Sequence, residues 1–261
     1  ITDDNENLYR IIDSRSIDFD SPEYNIKKYI IIYGIASAMS YLHLHDIIHC
    51  DLSAQNIYLD ENYYPKLTGF HYSQFLSDKP STTSIDRFSK YKGNLEYFSP
   101  EIFKFKNYSK ASDVYAFSII VYEIFRGSKP FNYDTFFKHL KEIVFDNEIL
   151  TNEFIFDDIP SYYSGLIQKC MSDDPSERPT FDEIVKILKA DINLINNEEY
   201  QKYVKFIDES LISFDHTQEF HLLDDIIKSS IRKVDDFQSR KKKFELENFI
   251  DDTIKKNIFG I

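Results

Sequence analysis

Glycine is scarce in this chain: there are six in 261 residues, and no two of them form a Gly-x-Gly pair. That is about a third of average usage. The paired glycines that let a backbone fold closely over phosphates are therefore absent from this sequence. Cysteine is almost as rare. Cys50 and Cys170 stand far apart, with no metal-type spacing around either, which argues against a disulfide framework or a zinc cluster. With no secretory leader evident, the simplest expectation is a reduced, cytoplasmic chain. Positive charge is in deficit: 31 Lys and Arg face 44 Asp and Glu, a net charge of −13. Such a chain has no electrostatic drive toward nucleic acid or anionic membrane, so no nucleic-acid partner is expected. No apolar run reaches the roughly 20 residues of a membrane span.

What is present suits a folded core: 42% of residues are hydrophobic and 16% aromatic, enough for one sizeable core with an extension. Ser21-Pro22-Glu23 reads as a capped helix start. The apolar positions that follow, from Tyr24 to Leu42, keep helical spacing and are wide enough for burial on more than one side. A long helix is predicted over about 22–44. Ile47-Ile48, Ile57-Tyr58-Leu59 and Pro65-Lys66-Leu67-Thr68 read as three short strands. A second helix, apolar almost all round, is predicted over 111–125 and ends at Gly127 and Pro130. Further helices are predicted over 133–145 and 162–171, and another opens at the capping box Thr180 to Glu183.

Between the first two strands lies the octet His49-Cys50-Asp51-Leu52-Ser53-Ala54-Gln55-Asn56. An Asp on such a loop can orient a hydroxyl and accept its proton, and the carbonyl oxygen of a nearby Asn can ligate a hard cation. Without further context these are ordinary polar residues of a surface loop. Asp113 reads locally as a cap near a helix start, and Glu101 and Arg178 as surface charges.

The octet resembles the protein-kinase catalytic loop, His-Arg-Asp-Leu followed by an Asn, with Cys50 for the Arg and Ser53 where Ser/Thr kinases carry Lys. Three further stretches keep the family's order: Ser99-Pro100-Glu101 for Ala-Pro-Glu, Ser112-Asp113-Val114-Tyr115 at the central helix, and Asp174-Pro175-Ser176-Glu177-Arg178-Pro179-Thr180. The style is closest to the tyrosine-kinase-like group of Ser/Thr kinases. The resemblance implies Asp51 as the catalytic-base equivalent and Asn56 as a magnesium ligand. It gives structural roles to His49, to Asp113 holding the loop, and to Glu101 and Arg178 as a buried ion pair. Where the family has Asp-Phe-Gly, this chain has Gly69-Phe70-His71, so the metal-binding carboxylate is gone and Asn56 is a weak metal ligand alone. Residues 72–92 match the activation segment, with Ser81, Thr82, Thr83 and Ser84 as candidate phosphate acceptors whose reader, the Arg, is Cys50 here.

The expected fold class is α+β, mainly α: a kinase-like helical C-lobe with short catalytic-loop strands and a helical extension. Residues 1–20 are expected as a hinge-like connector, 21–192 as the lobe, and 193–261 as a charged, solvated helical extension. The family's β-rich N-lobe, with its glycine loop and strand Lys, is expected to be missing. The lysines preceding Asp51, Lys27 and Lys28, fall inside the long helix. The favoured function is a degenerate pseudokinase acting on other proteins, a signalling partner or a kinase, as an interaction or regulatory module. The alternatives are a Ser/Thr kinase using Mg-ATP once a missing lobe is supplied, and a gene fragment without independent function.

Overall fold

The computed structural model describes residues 6–22, 24–76, 94–130, 136, 154–195 and 197–214. Among them the chain forms α1 (Leu8–Ser14), α2 (Asn25–Leu44), β1 (Ile47–Ile48), β2 (Ile57–Leu59), β3 (Pro65–Leu67), β4 (Gln74–Phe75), α3 (Pro100–Phe105), α4 (Lys110–Arg126), α5 (Ser161–Cys170), α6 (Phe181–Ile195) and α7 (Glu198–Phe214). The architecture is α+β and mainly helical. The candidate phosphate acceptors at 81–84 lie outside the described residues, as does the helix predicted over 133–145 apart from Phe136.

Two helices organise the core. In α2 the run Ile30-Ile31-Ile32 is β-branched and disfavours a helix on its own. All three side chains are buried, as are Tyr33, Ile35, Ala36 and Met39, so burial around most of the helix circumference overrides propensity. Helix α2 packs against α4, α6, α7 and β3. Helix α4 is as deeply enclosed, from Val114 to Phe125. Ser109 and Ser112 form a reciprocal capping box at its start, and Gly127, in the left-handed conformation, returns its N–H to the Glu123 carbonyl at its end.

The strands make two antiparallel ribbons, β1 with β4 and β2 with β3. In the second, Ile57 faces Leu67 and Leu59 faces Pro65. Its tight turn therefore holds Tyr63 and Tyr64, and its open end leads directly to Asn56 and Gly69.

Three expectations change. Ser21 does not cap the long helix: its hydroxyl donates to the Asp18 carbonyl, and the helix begins at Asn25. From residue 6 onward the stretch expected as a connector is packed into the fold, with Leu8, Ile11 and Ile12 of α1 buried in the core. The extension, over its described part, is docked along one face of α7, with Tyr200, Tyr203 and Val204 buried against the same core.

Candidate active site

Asp113, in the first turn of α4, is 2% exposed and reaches away from its own helix. Its Oδ2 accepts the backbone N–H of His49 at 2.8 Å and its Oδ1 that of Cys50 at 3.0 Å. Consecutive N–H groups converge on one carboxylate in this way because Cys50 adopts a left-handed backbone, φ 63°, which turns the chain back on itself. Such a conformation costs a non-glycine residue on the order of 1 kcal/mol or more and persists only where its surroundings fix it. Ser109 supplies the helix cap, so Asp113 is left to hold the loop. His43, in the last turn of α2, adds a third contact through Nε2 at 2.9 Å.

His49 lies wholly inside. Its Nε2 is 2.9 Å from the Thr68 carbonyl, which can only accept, so Nε2 carries the proton and Nδ1 receives the Asp51 N–H at 3.3 Å. Burial holds its pKa below the usual imidazole value, keeping this neutral tautomer. Its ring packs 5.0 Å from that of Phe70. Cys50 is buried, and its Sγ accepts from the Gln74 amide at 3.0 Å. The charged Arg expected by resemblance at this place is thus replaced by a neutral contact to β4.

Asp51 and Asn56 meet. The Asn56 Nδ2 lies 2.7 Å from the Asp51 carbonyl oxygen and 2.9 Å from Asp51 Oδ2. Both partners are acceptors, which fixes the amide with its NH₂ toward Asp51. The Asn56 carbonyl oxygen of the main chain accepts from the Thr68 N–H at 2.9 Å and the Thr68 hydroxyl at 3.1 Å, clamping the two sides of the ribbon's open end. Gly69 follows, with φ 82°. A Cβ there would stand 2.4 Å from Asn56 Cγ and 2.6 Å from both amide heteroatoms. The volume that a carboxylate at position 69 would enter is filled by the Asn56 side chain.

This geometry tests the magnesium implied by the resemblance. Magnesium requires near-octahedral oxygen coordination, usually including carboxylates. Gly69 offers no side-chain oxygen, Asn56 offers one neutral oxygen, and Asp51 Oδ2 already accepts from Asn56. Ser53, where a Lys would stand, is 1% exposed and brings no charge. Among the described residues no three His, Cys, Asp or Glu side chains converge on a possible metal position. The donor set does not fit the metal. Lys27 and Lys28 lie on α2 and are engaged elsewhere, Lys27 with Glu199 and Lys28 with Asp20 at 2.6 Å.

Glu101 and Arg178 form a bidentate pair, Nη1 to Oε1 at 2.7 Å and Nη2 to Oε2 at 2.9 Å. Arg178 also donates to the carbonyls of Ser172 at 2.8 Å and Ala111 at 3.0 Å. The pair thereby ties α3 and the start of α4 to the turn before α6. Sequence reasoning missed Glu123, which is buried in mid-α4 and takes the Tyr97 hydroxyl on both oxygens, at 3.0 and 2.8 Å. A lone Glu inside an otherwise apolar helix was the available signal. His43 was missed too, because its partner lies 70 residues on.

A mainly helical lobe whose buried central helix grips an Asp-bearing loop from below is the helical lobe of a protein kinase. The protein kinase domain model matches residues 4–188, and the chain belongs to that family. Similar curated proteins come from Dictyostelium discoideum. "Probable serine/threonine-protein kinase drkC" is 29% identical over 189 residues, covering 70% of this chain and 23% of the relative. A "Probable LIM domain-containing serine/threonine-protein kinase" is 34% identical over 175 residues, 66% of this chain and 25% of the relative. "Dual specificity protein kinase pyk3" is 33% identical over 162 residues, 62% of this chain and 11% of the relative. The chain thus spans a quarter or less of the length of these relatives. No helix among the described residues is long and apolar enough to cross a membrane.

Proposed function

We propose that this chain is a kinase-like lobe that has lost phosphotransfer and serves as an interaction or regulatory module for other proteins. One observation supports this reading above the rest: Asn56 occupies the space of the missing metal carboxylate and donates to Asp51. Phosphoryl transfer rests on positioning and charge stabilisation, and here the charge that would gather metal and phosphate is replaced by a neutral amide. In this reading residues 21–192 form the lobe, and α1 and α7 pack onto it.

The direct test is thermal unfolding of the chain with ATP, with and without Mg²⁺. The expected result is no stabilisation that requires both together, and a midpoint rise of several degrees needing both would overturn the reading. A second reading, a Ser/Thr kinase, draws on one specific observation: the loop bearing Asp51 is still anchored on Asp113. Its relatives' names point the same way. Stabilisation by ATP and Mg²⁺ together in the same titration would favour this second reading.

If one missing carboxylate were the whole defect, Gly69→Asp would repair it. It is expected instead to destabilise the fold by about 1–3 kcal/mol, because the new side chain must expel the Asn56 amide from its two hydrogen bonds. Asp tolerates the left-handed backbone better than most residues, so the collision decides the sign. Urea unfolding of Gly69→Asp and of Gly69→Asp/Asn56→Ala measures this. Recovery in the double variant is expected, and a single variant as stable as the parent would remove the steric argument.

A further inference from the structure

Helix α7 begins ten residues beyond the end of the family match at 188, yet it is built into the fold. Tyr200 is 0% exposed and Tyr203 2%. Tyr203 enters a notch that only glycine leaves open: a Cβ on Gly34 of α2 would lie 2.3 Å from the Tyr203 hydroxyl oxygen and 2.5 Å from Cγ of Pro65. At that notch three elements meet, namely α2, α7 and the first residue of β3. Tyr64, in the ribbon's turn, places its ring 4.3 Å from that of Tyr203 and stacks 6.2 Å from Phe206. Tyr33 packs edge-on against both Tyr200 and Tyr203.

The ribbon held here is the one that carries the site. A two-stranded ribbon is marginal in water by itself and takes its order from what it packs on. At its turn β2–β3 packs on α7, along its length it meets the segment before α1 through Asn7 and Tyr58, and at its open end it presents Asn56 and Gly69. Three residue pairs span on the order of 10 Å, so a displacement at Tyr64 is carried to the Asn56 amide by a short, hydrogen-bonded lever.

We propose that α7 is a brace whose docking on Gly34, Tyr64 and Pro65 holds the β2–β3 ribbon, and through it sets the contact of Asn56 with Asp51. The segment beyond the kinase match is thereby a control element for the site, whether or not Asp51 handles a substrate proton. Its rim contacts are weak ones. Lys27 pairs with Glu199, and Asp208 takes Lys189 at 2.7 Å and the Tyr33 hydroxyl at 3.3 Å, with both acids at least 39% exposed. Exposed pairs of this kind add little, so docking depends on the tyrosine rings, and α7 opens before α4 does.

Amide hydrogen exchange followed by mass spectrometry on the full chain tests the coupling, with Tyr203→Ala compared to the parent. The expected result is exchange at least about tenfold faster both in α7 and over 57–68, with protection across α4 unchanged. Acceleration in α7 alone overturns the proposal, and so does an α7 that exchanges as before. Should Tyr203→Ala fail to fold, Tyr203→Leu carries the same test, since it removes the ring contacts with Tyr33 and Tyr64 while keeping most of the buried volume. Its expected acceleration is several-fold in both segments, and the same two results overturn the proposal.

Discussion

Arg178→Ala is expected to lower the unfolding free energy by about 3–5 kcal/mol, because it leaves a buried carboxylate without its cation. Glu101 is 7% exposed and its two oxygens are both held by the guanidinium. The carbonyls of Ser172 and Ala111 lose their donors in the same step, and the Tyr115 ring loses the guanidinium stacked 5.2 Å above it. The pair Lys186 and Asp182 is the natural contrast. It is 2.6 Å long but 70% and 68% exposed, and Lys186→Ala is expected to leave the unfolding midpoint essentially unchanged. Urea unfolding measures both variants. A loss below about 1 kcal/mol for Arg178→Ala would show that Glu101 finds another partner, and the pair would then not be what joins α3 to the turn before α6. Arg178→Met/Glu101→Leu is expected to regain most of the loss, since an apolar pair leaves no stranded charge.

That pair also shows what could be read from the residues. Glu101 and Arg178 looked like surface charges until the order of four motifs placed them together, because no local pattern links positions 77 apart. Elements specified by neighbouring residues were legible: the capping box Thr180 to Glu183 is formed on both sides, at 2.8 and 3.2 Å, and the largely apolar α4 is buried as its composition demands. The misreadings have separate causes. Ser21 and Pro22 carry a sound start signal, but Asp18 competes for the serine hydroxyl. Helix α7 is charged enough to pass for a solvated helix, with Tyr200, Tyr203 and Val204 forming a narrow buried stripe. Its docking depends on a glycine notch 169 residues earlier. At the site, Gly69 in the place of the family's Asp was legible only through the resemblance. The placement of the Asn56 side chain against Gly69 was not legible, since it depends on how β2 and β3 pair.

The largest effect of pH is expected at Glu123. Its carboxyl lies at the middle of α4, 2% exposed, and burial pushes its pKa up to about 8. The Tyr97 hydroxyl, hydrogen-bonded to both oxygens, and Lys129 pull it back only in part, while Glu96 adds to the rise. Lys129 is itself committed to Glu96 at 2.6 Å, so the buried acid has no cation of its own. In the unfolded chain the same group titrates near 4.5. Below that pH both states hold the proton and the group costs nothing. Between about 4.5 and about 8 the folded state keeps a proton that the unfolded state has released, so stability falls as pH rises, and the loss levels off above about 8. The full span corresponds to roughly 4–5 kcal/mol. Because 44 acidic residues titrate over part of that range, the informative quantity is the difference between the parent and Glu123→Gln, which keeps the shape and still accepts from Tyr97. Near pH 5 the two are expected to unfold at similar urea concentrations. By pH 9 the Gln variant is expected to be the more stable by several kcal/mol. A difference that stays constant across pH would mean that Glu123 is ionised throughout, and that the Tyr97 hydroxyl alone is enough to hold its charge inside the core.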